Sequence, residues 1–79
     1  MDFFQIMYHR DINELKKVTV TLNKKEEWAK NFSQQYDSCH VHPLHIVSGL
    51  LCLDPDEPGE RWEHGVFVHT IKSLNERLS

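Results

Sequence analysis

His40-Val41-His42-Pro43-Leu44-His45-Ile46-Val47-Ser48-Gly49-Leu50-Leu51-Cys52-Leu53 is the stretch whose reading decides the fold. Read as a strand, it puts Leu44, Ile46, Leu50 and Cys52 on one face and Val47, Leu51 and Leu53 on the other. Apolar residues on both faces suit a central strand. Read as a helix, it puts Pro43 at the first helical position, with Leu44, Val47 and Leu51 as the buried stripe. The β-branched pair Ile46-Val47 and the glycine at 49 both lower helix propensity. The strand reading is therefore preferred, and it places a sheet at the centre of the domain.

The neighbouring segments are read outward from that strand. Phe3 to Tyr8 is aromatic and apolar enough for a strand, although Phe3, Ile6 and Met7 also fit helical spacing. Asp11-Ile12-Asn13-Glu14 has the form of a capping box and predicts a short helical turn to Lys17. Val18-Thr19-Val20-Thr21-Leu22 alternates with period two and is β-branched, which makes it the clearest strand of the chain. Asn23 with Glu26 three residues on resembles a second capping box, and Glu26 and Glu27 would sit in a first turn, where the helix dipole favours acids. A helix is expected from Lys24 to Asp37. Its residues Trp28, Phe32 and Tyr36 are spaced by four, with Ala29 beside Trp28, and this stripe is expected to enter the core.

Asp54-Pro55-Asp56-Glu57-Pro58-Gly59-Glu60 reads as a loop, because two prolines fix φ and a glycine follows. Trp62 to Thr70 reads as one long strand, forming an antiparallel hairpin with the 40–53 strand around that loop. Ile71, Leu74 and Leu78 fall at helical spacing and predict a terminal helix over 71–78. The expected fold is α+β: one domain over 1–79, an antiparallel sheet of about four strands in β-β-α-β-β-α order, and one main helix, 24–37, packed on one face.

Size and composition bound the function classes. Seventy-nine residues make one small domain with a thin stability margin. Charged residues are 27% and hydrophobic residues 39%, a globular balance. The formal charge of −3 argues against a nucleic-acid partner. Lys16, Lys17, Lys24, Lys25 and Lys30 alternate with Glu14, Glu26 and Glu27, as on an ordinary solvated face. Met1-Asp2-Phe3-Phe4 lacks the basic start of a secretory signal, and no apolar run approaches the ~20 residues of a membrane span. The expectation is a cytoplasmic chain without a membrane partner, its two cysteines reduced.

The residues able to carry chemistry cluster in the middle. Cys39, His40, His42 and His45 lie within seven positions, with His64 and His69 on the next segment. Zinc takes three or four nitrogen or sulfur ligands. On a strand His40 and His42 share a face and His45 takes the other, so His64 or Cys52 would have to complete a site. His40-Val41-His42 resembles the paired histidine of the HUH nucleases, which implies a divalent metal beside a nucleophilic tyrosine, but no tyrosine follows Tyr36. The same pair with Gly49 resembles the first metal motif of the cupins, whose glutamate is missing. Neither match is counted as membership. Cys39 and His40 are adjacent and point apart on a strand, so no nucleophile–base pair is assigned. Neither catalytic residues nor cofactors are expected, and a zinc site on Cys39, His40, His42 and His45 is the alternative to the reading that follows.

Asp54, Asp56, Glu57, Glu60 and Glu63 put five acids into ten residues beside Arg61 and Trp62. Asp54, Asp56 and Gly59 resemble the start of a calcium loop of the EF-hand type, but Pro58 and Gly65 stand where oxygen ligands are needed. Residues 1–38 hold 6 basic and 6 acidic side chains and residues 39–79 hold 3 and 6, so the second half carries the whole net charge. The reading is a small interaction or regulatory module: a subunit, adaptor or inhibitor that binds a larger protein. Its contact is expected through Asp54, Asp56, Glu57, Glu60, Arg61 and Trp62. A homodimer is also expected to be accessible to so small a domain.

Overall fold

A computed structural model describes residues 2–9, 14–73 and 75–76. Six strands and one long helix follow one another as β1 (Phe3–Tyr8), β2 (Lys16–Thr21), α1 (Leu22–Gln35), β3 (Ser38–Val47), β4 (Leu50–Leu53), β5 (Gly59–Glu63) and β6 (Val66–Ile71). All pairings are antiparallel and the sheet order is β2-β1-β3-β5-β6, with β4 also paired to β3. The α+β class, the antiparallel sheet and the single main helix stand as expected. The sheet has six strands instead of about four, and the order of the elements up to Ile71 is β-β-α-β-β-β-β.

Both extra strands come from two-residue turns inside segments that read as continuous. Val47 pairs with Leu50 around Ser48-Gly49, and Glu63 pairs with Val66 around His64-Gly65. All four turn residues have positive φ, between 51° and 84°. That is the signature of the hairpin turn whose twist matches the flanking strands. The supposed strand from Trp62 to Thr70 is therefore a hairpin of its own. The acidic loop is not a hairpin tip either: β4 and β5 both pair with β3, on the side away from β1, and residues 54–58 bulge out between them.

The core lies between the sheet and α1. Ile6, Val20, Val41, Cys39 and Trp62 are buried from the sheet side, and Ala29 with Ser33 from the helix. The small pair at 29 and 33 lets the helix settle closely on β3. The aromatic stripe runs along the flank of this contact instead of entering it. Trp28 is 39% exposed, while Phe32 is partly buried and stacks on Tyr8 with ring centroids 4.2 Å apart. A stripe with a spacing of four, set one position off the buried pair, is rotated by about 100° around the helix, which accounts for the difference.

The helix also starts earlier than its sequence signals suggest. Leu22 opens it, Thr21 is the cap, and no side chain caps it. β2 runs straight into α1, and the Leu22 N–H donates to the Asp2 carbonyl at 3.1 Å. Asn23 and Glu26 thus lie inside the helix and form no capping box. At the other end Ser33 ties α1 to the β5–β6 turn. Its hydroxyl accepts the Gly65 N–H at 2.9 Å, and its carbonyl accepts the His64 N–H at 3.2 Å. The expected turn at 11–17 lies in part outside the described residues, and Lys16 and Lys17 belong to β2. Of the expected terminal helix, Ile71 ends β6, Asn75 and Glu76 are helical, and the remainder lies outside the described residues.

Candidate functional site

The acidic bulge is built as a rigid object. Asp54 Oδ1 accepts the Asp56 N–H at 2.9 Å, closing a turn of the type aspartate favours. Asp54 Oδ2 lies 3.4 Å from His45 Nδ1, and the Asp54 N–H donates to the Pro43 carbonyl. The Asp56 N–H, and behind it His45, hold the Asp54 carboxyl below its usual range, outweighing a partial burial that acts the other way. Pro55 and Pro58 stiffen the rest. The segment after β6 adds two clamps: the Asn75 N–H donates to the Pro55 carbonyl at 3.0 Å, and the Asn75 side-chain amide donates to Asp56 Oδ1.

This bulge forms one wall of a cleft of about 520 Å³. Phe3, Phe4, Pro43 and Leu44 supply apolar lining, and Asp2, Asp54, Glu57 and Glu60 supply carboxylates. Glu60 is already engaged: Lys25 Nζ lies 2.9 Å from its Oε2 and 4.9 Å from the centre of the Phe4 ring. Trp62 Nε1 donates to Glu60 Oε1 at 3.0 Å. Lys25 shows what this environment selects, a cation beside an aromatic face and a carboxylate.

The structure divides the six expected contact residues. Asp54, Asp56 and Glu57 stay together on the bulge. Glu60 and Trp62 face α1, whereas Arg61 points to the opposite face of the sheet, because adjacent strand residues alternate. Trp62 is only 8% exposed and belongs to the core, so it is no surface anchor. Arg61 donates from Nε to Glu63 at 2.6 Å and from Nη1 to His40 Nε2 at 2.8 Å. Arginine has no acceptor, so His40 Nε2 is the accepting atom of this contact. Arg61 holds the Glu63 carboxyl below its usual range.

The same alternation disperses the metal-type cluster. Cys39 is buried against α1, its thiol donating to the Ala29 carbonyl at 3.4 Å. His40 and His42 lie on the helix-free face with ring centres 6.3 Å apart. His45 pairs with Asp54, and His64 sits in the β5–β6 turn. Among the described residues no three His, Cys, Asp or Glu side chains are grouped to hold a metal ion.

One surface went unread in the sequence. Beyond Leu44, where β1 ends, β3 and β4 continue as a two-stranded ribbon carrying Ile46, Val47, Leu50, Leu51 and Leu53, all exposed. The readable signal was Ser48-Gly49, a turn dipeptide between two apolar runs. Among the described residues no helix is long and apolar enough to cross a membrane. Set against family models, curated proteins and solved structures, the chain matches none.

Proposed function

We propose that this protein is a small interaction module, a subunit, adaptor or inhibitor, that binds a larger protein. It takes a basic side chain flanked by an apolar one into the cleft between β1, β3 and the acidic bulge. The observation that carries this reading is a carboxylate rim, partly on a stiff loop, set against an aromatic floor from β1, with Lys25 already occupying one such position from within. Stiffness supports it further. A loop held by prolines, an aspartate turn and Asn75 loses little conformational freedom when a partner docks. Carboxylates on the rim steer the encounter and set orientation.

The test is capture from native lysate on the immobilised protein, compared with Glu57→Lys. Glu57 is exposed, so the change leaves the fold intact. A genuine partner is retained about tenfold less by the charge reversal and elutes at moderate salt, as expected for an electrostatic rim. Equal retention by both proteins would remove the cleft from consideration.

A further inference from the structure

We infer that β4 is a homodimerisation edge. Two copies pair antiparallel along Leu50–Leu53, with Leu51 opposite Leu53 of the partner subunit and Cys52 opposite Cys52 of the partner subunit. This inference concerns the ribbon and stands apart from the acidic cleft.

The first support is backbone accounting. In a hairpin with a two-residue turn the residues flanking the turn exchange both hydrogen bonds, so Val47–Leu50 and His45–Cys52 are the bonded pairs. The N–H and C=O groups of Leu51 and Leu53 therefore point away from β3. Among the described residues no strand pairs with that side of β4. A twofold antiparallel contact in the stated register matches all four of these groups to their counterparts on the second copy.

The side chains agree with the backbone. Cross-strand partners share a face, so Leu44, Ile46, Leu51 and Leu53 lie together on the helix-free side. Ile46, Leu51 and Leu53 are 64, 44 and 43% exposed, and Leu50 at the tip is 69% exposed. With Val47 they leave roughly 400 Å² of apolar surface in water, as large as the biggest patch of a typical monomer. No charged residue occurs from Ile46 to Leu53, so two copies meet across the axis without like-charge repulsion.

The other two sheet edges are guarded. β2 begins with Lys16-Lys17, and β6 carries a bulge where Val68 finds no partner between Phe67 and His69. β4 has neither device. An unguarded apolar edge on every copy makes a second copy its natural occupant. Doubling ~400 Å² and adding the ribbon backbone gives an interface near the low end of specific contacts, so the dimer is weak, with a Kd of roughly 10–100 µM.

The register makes the test sharp. Opposed residues of a non-bonded antiparallel pair have Cα atoms ~4.5 Å apart, inside the range a disulfide spans. Cys52 is a free and partly accessible thiol out on the ribbon, whereas Cys39 is buried in the core against α1. Diamide, which takes up the two electrons and two protons released by a thiol pair, is added to the concentrated protein. A linked species at twice the 9.4 kDa chain mass is expected from the native chain and from Cys39→Ser, and none from Cys52→Ser. Sedimentation equilibrium should show concentration-dependent dimerisation that Leu51→Asp weakens at least tenfold. Leu53→Lys should do the same, and thermal melting of both variants confirms that they fold. A monomer at all concentrations would overturn the inference. So would a dimer that survives both substitutions, or one that cannot be linked through Cys52.

Discussion

At the scale of single residues, burial decides which of two chemically identical groups is reactive. Cys39 is 2% exposed, and desolvation pushes its thiol up to about 11, from an ordinary value of 9.0. Thiolate is the nucleophile, so a thiol reagent at pH 8 should modify Cys52 and spare Cys39 until the protein is denatured. One fast-reacting thiol per native chain is the expected count, and two would contradict the burial of Cys39. The same shift makes stability depend on pH. The unfolded chain loses the Cys39 proton near pH 9 while the folded chain keeps it, so the native state binds more protons over that interval. Stability is full below about pH 9 and falls by roughly 2–3 kcal/mol as pH rises toward 11, a drop that Cys39→Ala should abolish in alkaline denaturant titrations. In the sequence Cys39 and His40 form one cluster. The alternation of a strand separates them, which no count of residue types reveals.

At the scale of elements, α1 separates packing from spacing. The sequence pattern nominates Trp28, Phe32 and Tyr36, whereas the sheet meets Ala29 and Ser33. The three rings form a ladder with Tyr8: Phe32 stacks on it, Tyr36 lies 4.8 Å from it, and Trp28 lies 5.6 Å from Phe32 at the outer end. Phe32→Ala should therefore cost about 2–4 kcal/mol and Trp28→Ala about 1 kcal/mol, compared by urea denaturation. A larger loss at Trp28 would mean that the outer ring is buried in solution. The helix and the strands β1, β2 and β3 were all legible, because period and β-branching are local properties. The two hairpin turns were not. Ser48 and His64 are ordinary residues held at positive φ by their neighbouring glycines and by strand pairing, and the one-residue change of parity at Gly49 moved Leu51 and Leu53 to the face opposite the expected one.

At the scale of the whole molecule, the sheet is held where β1, β3 and β5 are paired and covered by α1, and the ribbon beyond Leu44 projects from that body. A two-stranded ribbon is at best marginally stable alone. Amides of residues 46–51 should exchange fastest among the strand amides in dilute solution, and slow at high concentration where copies pair. Replacing residues 46–51 by a two-residue Asn-Gly turn removes no core contact, so the melting temperature of dilute protein should change by less than about 4 °C. A loss of cooperative melting would place part of the core in the ribbon.

The amino-acid sequence by itself determined the class of the protein and the approximate places of β1, β2, β3 and the main helix. These depend on residue size, branching and period within a few neighbours. It also marked residues 54–58 as a charged loop, since two prolines and three carboxylates stand there, while His45 and Asn75, distant in the chain, fix its shape. Only the tertiary structure decided what faces what. It buried Trp62, turned Arg61 to the far side of the sheet, split Cys39 from its histidines, and left the outer edge of β4 without a paired strand among the described residues. The reason is physical: side-chain direction along a strand has period two, so a single turn residue or bulge reverses every exposure downstream of it. That parity is set by pairing between residues far apart in the chain.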